Sequence, residues 1–271
     1  MRAKPKKSLG QNFLQDPNIR RKIIAACDLS ERDTVVEIGP GQGALTELIA
    51  PKVKRLIAVE VDRALSAELS GRFQGDPRVT VINADFLKYD LSAVSIPPSH
   101  KLKVVGNIPY YITSPIIEHL FSFRNRISAI YLTVQKEFGQ RIIAKPGTAH
   151  YGAFSCFVQY YAEPKIEFII KRTCFFPAPA VDSCFLKLTV RPEPPAAVID
   201  ETLFFKVIRA SFQKRRKTLG NCLKAIVPDG ALTALLSGCN IDPRIRGEEL
   251  GLPEFARISN AFSRYYNIIN Q

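Results

Sequence analysis

The sequence lacks the patterns that would indicate a metal ion, a membrane span or a secretory signal. Its six cysteines form no C-x-x-C pair, and its three histidines share no ligand spacing with one another or with the cysteines. No apolar run reaches the ~18 residues that a membrane-spanning helix needs. The basic N-terminus is not followed by the apolar core of a secretory signal. We therefore predict a metal-free protein with reduced thiols and no membrane segment, located in the cytoplasm.

Acidic side chains are few relative to basic ones. The 271 residues include 38 Lys and Arg against 25 Asp and Glu, which gives a formal net charge of +13. This excess predicts a polyanionic partner such as a nucleic acid, with a basic protein that binds nothing acidic as the alternative. Hydrophobic residues make up 46% of the chain, so it can bury a full core.

Short apolar runs alternate with amphipathic stretches over the first part of the chain, which predicts a doubly wound α/β sheet with helices on both faces. The predicted strands are Thr34–Ile38, Arg55–Val61, Val79–Asn83, Leu102–Gly106, Ala129–Val134, Ile166–Ile170 and Cys184–Val190. Helical periodicity lies between the early strands, for example over Ala44–Ala50 and Pro115–Phe121. The last two strands are joined by a loop, which suggests an antiparallel hairpin at one edge of the sheet.

A proline-rich stretch, Arg191–Pro195, marks the predicted domain boundary. The pattern beyond it is helical, over Leu203–Phe212, Arg216–Ile226, Gly230–Ser237 and Leu252–Tyr266. We therefore predict one domain over residues 1–190, with a basic arm at 1–22, and a small all-helical domain over residues 196–271.

A glycine-rich loop follows the first strong strand, in the run E-I-G-P-G-Q-G that begins at Glu37. Gly39 and Gly41 let the backbone turn sharply and let a ligand approach closely. Glu60 ends the next strand, where a carboxylate accepts both hydroxyls of a ribose, and Asp85 follows the third strand, where it can accept from an adenine amine. These features also fit a nicotinamide-dependent dehydrogenase, which remains an alternative at this point.

The fourth strand ends in Asn107-Ile108-Pro109-Tyr110, which matches the Asn/Asp-Pro-Pro-Tyr type of signature found in amino-group methyltransferases. An exocyclic amine is a poor nucleophile because its lone pair is delocalised into the ring. The Asn107 side-chain oxygen and a main-chain carbonyl can accept the two amine hydrogens and direct the lone pair toward the methyl group. Tyr110 offers a face on which the target base can stack. The pattern predicts an S-adenosylmethionine-dependent methyltransferase.

Together these motifs resemble the small-subunit ribosomal RNA adenine dimethyltransferase family over nearly the whole chain. Three further stretches match family motifs: S-L-G-Q-N-F-L from Ser8, F-F-P-A-P-A-V-D-S from Phe175, and Q-K-R-R-K-T-L from Gln213. The resemblance implies that Asn12 and Leu14 contact the methyl donor, with Gly39, Glu60, Asp85 and Asn107 at further donor positions. It also implies that Phe175 faces the target base opposite Tyr110.

The same resemblance implies dimethylation of N6 in two adjacent adenines near the 3′ end of 16S rRNA, in an immature small ribosomal subunit. We expect the enzyme to act as a monomer. Arg209, Lys214, Arg216 and Lys217 are candidate contacts to the RNA backbone, with a merely solvated helix face as the alternative. Two other functions stay open: a large-subunit rRNA dimethyltransferase, and a mainly non-catalytic ribosome assembly factor.

Overall fold

The computed structural model describes residues 5–6, 9–214, 216–227 and 229–269. Residues 1–4 and 7–8 of the predicted basic arm lie outside the described residues, as does Arg215 of the basic stretch. Within the described ranges, no helix is both long enough and apolar enough to cross a membrane.

The strands are β1 (Phe13–Leu14), β2 (Thr34–Ile38), β3 (Arg55–Glu60), β4 (Val79–Asn83), β5 (Leu102–Asn107), β6 (Ile127–Gln135), β7 (Ala162–Ile170), β8 (Phe175–Phe176) and β9 (Ser183–Val190). The α-helices are α1 (Pro17–Ala26), α2 (Thr46–Ile49), α3 (Arg63–Arg72), α4 (Thr113–Ser122), α5 (Lys136–Ile143), α6 (Ala153–Tyr161), α7 (Glu201–Gln213), α8 (Leu219–Leu223), α9 (Asp229–Gly238) and α10 (Leu252–Ile269).

The main sheet has the strand order β4-β3-β2-β5-β6-β9-β7. Strands β4 to β6 are parallel to their neighbours in this order, and β9 pairs antiparallel with β6. The order reverses between β2 and β5, and ligands bind in open α/β sheets at the carboxyl ends of strands beside such a reversal. The five residues of β2 are all buried, as a central parallel strand covered on both faces requires. The predicted doubly wound sheet is confirmed.

Strand β7 begins four residues before the predicted Ile166 and includes Pro164. Proline cannot donate to a sheet ladder, which is why the sequence pattern argues against a strand there. The position of β7 at the end of the strand order makes the residue tolerable, because one side of an edge strand needs no partner. Strand β9 lies between β7 and β6 in the sheet, although it follows both in the chain.

The chain divides into two compact units. One contains the described residues up to Gly139 together with residues 163–192, and the other contains residues 140–162 together with the described residues from 193 onward. An aromatic cluster explains why α6 groups with the helical unit. The Tyr160 ring lies 4.9 Å from that of Phe204 on α7, and the Tyr161 ring lies 5.7 Å from that of Phe205.

The helical unit also corrects one predicted helix. We predicted a helix over Arg216–Ile226, whereas α8 begins at Leu219. Arg216 and Lys217 therefore precede this helix instead of lying on it. The positive end of the helix dipole disfavours cations in the first turn, so the chain starts the helix after them. Thr218 occupies the N-cap position with an extended backbone.

Candidate active site

A pocket of about 340 Å³ opens at the carboxyl ends of the central parallel strands of the first unit. Its size lies within the range of small-molecule sites. The pocket brings together most of the residues that the sequence singles out. Those lining it are Asn12, Leu14, Gly39, Gly41, Glu60, Asp85, Asn107 and Tyr110. They converge because β2, β3, β4 and β5 run in register and end at one edge of the sheet.

The glycine-rich loop after β2 can only be built from residues that tolerate positive φ. Gly39 and Gly41 have φ of +61° and +56°. A Cβ at Gly41 would lie 3.0 Å from the Phe13 ring, so a larger residue at position 41 would crowd this ring. Apart from Gly39 itself and its two chain neighbours, no heavy atom of the described residues lies within 4 Å of the corresponding point at Gly39. The backbone at Gly39 is therefore open to a ligand in the pocket.

Glu60 ties this loop to the end of β3. Its side chain is buried at 4% exposure, and its two carboxylate oxygens accept the N–H groups of Gly41 and Asp62, each at 2.9 Å. Burial raises the pKa of Glu60, and the two backbone hydrogen bonds act in the opposite direction. Because each carboxylate oxygen has a second lone pair, Glu60 can still accept hydroxyl groups from a ligand.

Glu37 is a buried pocket residue to which the sequence pattern assigned no role. Its carboxylate accepts the Thr46 hydroxyl at 2.7 Å. Its pKa is raised to about 8, mainly by burial and also by the nearby charge of Glu60, against the lowering effect of the Thr46 hydrogen bond. The sequence signal for this residue is its place directly before the glycine-rich loop.

Asp85 lies at the mouth of the pocket, on an exposed turn that follows β4. Its Oδ1 accepts the N–H of Leu87 at 3.1 Å, which begins a single 3₁₀ turn over Phe86–Lys88. His119 on α4 holds both ends of this turn. Its ring packs edge-on against the ring of Phe86 at 5.6 Å, and its Nε2 lies 3.0 Å from the Tyr89 carbonyl oxygen.

Asn107 joins the end of β5 to the N-terminal segment. Its Nδ2 donates to the Asn12 carbonyl at 2.9 Å. Because only the NH₂ of the amide can donate, this bond fixes which side of the side chain carries the oxygen, and Oδ1 is left as an acceptor. Tyr110 is held by a different contact, since its hydroxyl lies 2.6 Å from the Ser183 hydroxyl. Both side chains are therefore oriented by the protein itself.

The N-terminal segment closes one side of the pocket through contacts that the sequence does not reveal. Lys6 forms an ion pair with Asp62 at 2.9 Å, and the Gln11 side chain donates to the same carboxylate at 3.4 Å. A Cβ at Gly10 would lie 3.1 Å from the Tyr111 ring, so the segment also passes close to the loop after β5. Gln11 and Asp62 are 51 positions apart, and such a separation leaves no spacing signal.

The structure does not bring Phe175 into the pocket lining, and its position opposite the target base stays a prediction. Phe175 is 4% exposed, packs in the core and does not line the pocket. The short strand β8 explains the difference, because successive side chains of a strand point to opposite faces. Phe175 pairs with Leu14 and is buried with it, whereas Phe176 pairs with Phe13 and is exposed.

The four candidate RNA contacts all lie in the helical unit. Arg209 is exposed on α7, Lys214 follows the end of that helix, and Arg216 and Lys217 are exposed before α8. Among the residues that the structure describes, no three His, Cys, Asp or Glu side chains are grouped as a metal ion would require.

The pocket fits S-adenosylmethionine. It offers an open backbone at Gly39, a buried carboxylate at Glu60 and an exposed carboxylate at Asp85, each at the end of a different parallel strand. These groups suit the close approach of the donor, its ribose and its adenine, respectively. The fold and the pocket together define a Rossmann-like, S-adenosylmethionine-dependent methyltransferase.

Comparison with known proteins gives the family. The model of the ribosomal RNA adenine dimethylase family matches residues 2–263. The chain is 47% identical over 265 residues to ribosomal RNA small subunit methyltransferase A of Moorella thermoacetica, covering 94% of this chain and 91% of the relative. It is 45% identical to the protein of the same name from Geobacillus thermodenitrificans, covering 97% and 92%. The chain belongs to the ribosomal RNA adenine dimethylase family and is an rRNA methyltransferase.

Solved structures agree with this assignment. A dimethyladenosine transferase from Plasmodium falciparum superposes with a TM-score of 0.80 at 25% identity, covering 93% of this chain and 98% of that one. The 23S rRNA methyltransferase ErmE superposes with a TM-score of 0.70 at 24% identity, covering 93% and 100%. The second likeness shows the fold alone.

Proposed function

We propose that this chain dimethylates N6 of two adjacent adenines near the 3′ end of small-subunit rRNA, acting in the cytoplasm as a monomer on an immature small ribosomal subunit. The hydrogen bond from Asn107 to the Asn12 carbonyl carries the proposal, because it leaves an oriented amide oxygen beside the donor pocket. The names of the relatives at 47% and 45% identity support the choice of the small subunit.

The proposed chemistry needs positioning more than proton transfer. The Asn107 Oδ1 and a neighbouring main-chain carbonyl accept the two hydrogens of the target amine and direct its lone pair into the pocket. Tyr110 stacks on the extruded adenine, and its hydroxyl stays with Ser183. Burial raises the pKa of Tyr110, so this hydroxyl remains protonated near neutral pH. The methylated amine carries a positive charge and is therefore acidic, so no strong general base is needed to remove its proton.

The donor is placed by the other pocket residues. S-adenosylmethionine supplies an electrophilic methyl group. Glu60 accepts from the ribose hydroxyls and Asp85 from the adenine amine, while the open backbone at Gly39 lets the donor approach. Asn12 and Leu14 close the pocket from the N-terminal segment.

We further propose that residues 196–271 bind RNA through Arg209, Lys214, Arg216 and Lys217. Reversing the charge of Arg216 and Lys217 should weaken binding to small subunits and reduce the dependence of binding on salt. Each phosphate contact releases nearly one counterion on binding, so fewer counterions are released when contacts are lost. Arg244→Glu is the matched control, since Arg244 is exposed in the same unit and already paired with Asp242 at 3.0 Å. An unchanged salt slope in the double reversal would mean that these cations are only solvated.

Primer extension distinguishes this function from its alternatives. Reverse transcriptase stops at dimethylated adenines because they cannot form a Watson–Crick pair. The chain is expressed in a strain that lacks its own small-subunit dimethyltransferase, with Asn107→Ala as the inactive control. We expect stops at two adjacent positions of the small-subunit rRNA with the wild-type chain alone. Stops in large-subunit rRNA would support the first alternative, and normal subunit maturation without stops would support an assembly factor.

A further inference from the structure

Two aromatic rings beside the pocket are exposed. Tyr111 is 64% exposed and Phe176 is 57% exposed, although the large apolar surface of an aromatic ring is usually buried for the most part. Neither residue has a role in the chemistry proposed above. Large exposed rings beside a binding site are a common sign of a contact surface.

Tyr111 lies in the pocket wall and is fixed from one side. A Cβ at Gly10 would lie 3.1 Å from its Cε1 and 3.3 Å from the Pro109 side chain, so the glycine backbone passes directly against the ring. The ring is therefore held in place while most of its surface faces solvent.

Phe176 reaches the same side of the first unit by strand pairing. It is paired with Phe13 across the two-stranded sheet, and side chains that are directly opposed in such a pair lie on one face. Phe13 lines the pocket and packs against Gly41. The loop that follows Phe176 returns to the pocket at Ser183, whose hydroxyl contacts that of Tyr110.

The two rings contact neighbouring parts of the N-terminal segment. Tyr111 contacts the N-terminal segment at Gly10 and Phe176 pairs with it at Phe13, and three residues span at most about 10 Å. Two exposed cations, Lys171 and Arg172, precede Phe176 in the segment between β7 and β8, and Lys171 is paired with Asp182 at 3.2 Å. Aromatic faces beside cations are the usual means of holding single-stranded nucleic acid.

We propose that Tyr111 and Phe176 form an outer platform on which the bases flanking the extruded adenine stack. This inference rests on the proposed function for its ligand, which is single-stranded RNA at the target site. The platform holds the strand on both sides of the target, so that extrusion of one adenine leaves its neighbours in stacking contact. Its exposed faces contribute to RNA binding.

The absence of tryptophan from the chain provides a direct test. Tyr111→Trp and Phe176→Trp each introduce a single indole, whose emission falls when a base stacks on it. Ile169→Trp is the matched control, because Ile169 is 40% exposed on β7 of the same unit and does not line the pocket. The probe is a single-stranded oligoribonucleotide that contains two adjacent adenines. We expect the first two variants to lose emission along the RNA binding curve and the third to keep it.

Alanine variants give the energetic side of the test. Tyr111→Ala and Phe176→Ala should each weaken binding of this RNA by roughly 5- to 150-fold. Affinity for S-adenosylmethionine should be unchanged in Phe176→Ala, because Phe176 does not line the donor pocket. Tyr111→Phe should bind like the wild-type chain. Emission that stays constant while filter binding reaches saturation, or alanine variants that bind RNA normally, would overturn the platform. Neither readout requires methyl transfer, so a chain that shows both effects but methylates nothing contradicts only the proposed function.

Discussion

Replacing Asn107 with alanine should remove most turnover while the protein still folds and still binds S-adenosylmethionine. The side chain makes one neutral hydrogen bond, to the Asn12 carbonyl at 2.9 Å, so its loss costs about 1 kcal/mol of stability. The proposed bond to the target amine strengthens as positive charge develops on nitrogen. An interaction that is stronger in the transition state appears in the rate constant and not in binding. Losing one such group should slow the reaction by a factor of about 10² to 10³.

The assay is single-turnover methyl transfer to immature small subunits, with both the subunits and the donor at saturation. Saturating donor removes any effect that the substitution has on donor affinity, which calorimetry measures separately. Asn83→Ala is the matched control. Asn83 also ends a parallel strand and donates its amide to a main-chain carbonyl, that of Glu60 at 2.8 Å, but it does not line the pocket. A near-normal rate for Asn107→Ala would refute the reasoning.

Glu60, Tyr110 and Glu37 occupy different parts of the pocket and therefore predict different effects. Glu60→Ala should weaken S-adenosylmethionine binding about 10- to 100-fold in calorimetry, because a charged acceptor is lost, and unchanged affinity in a folded variant would remove Glu60 from the donor site. Tyr110→Phe should keep near-normal turnover if stacking is its role. Adding Ser183→Ala to Tyr110→Phe should cause little further loss of stability, because the two substitutions remove the same hydrogen bond. Glu37→Gln should flatten the pH dependence of unfolding. With a folded pKa of about 8 against a usual value of 4.5, the wild-type chain loses stability as pH rises through that window, and an equal slope in both proteins would contradict this.

Much of the site follows from the sequence because parallel strands end at one edge of a sheet. Glu60, Asp85 and Asn107 each follow a predicted strand or end it, and all three line one pocket. The strand ends were predictable to within a few residues because continuous apolar runs mark central strands.

Contacts between distant segments were not predictable. Asn107 and Asn12 are 95 residues apart, and Tyr110 and Ser183 are 73 apart, so no local period records either pair. The burial of Phe175 was not predictable for a related reason. A two-residue strand shows no alternation in the sequence, and only its pairing with β1 decides which of the two phenylalanines is buried.

The nucleoside content of small-subunit rRNA after reaction in vitro tests the proposed function most directly. Unmethylated small subunits are incubated with the chain and S-adenosylmethionine, and the digested RNA is analysed by mass spectrometry beside large subunits treated in the same way. We predict N6,N6-dimethyladenosine at two residues per small subunit and none in large-subunit RNA. Its absence from small subunits, or its formation in large subunits instead, would contradict the proposed reaction.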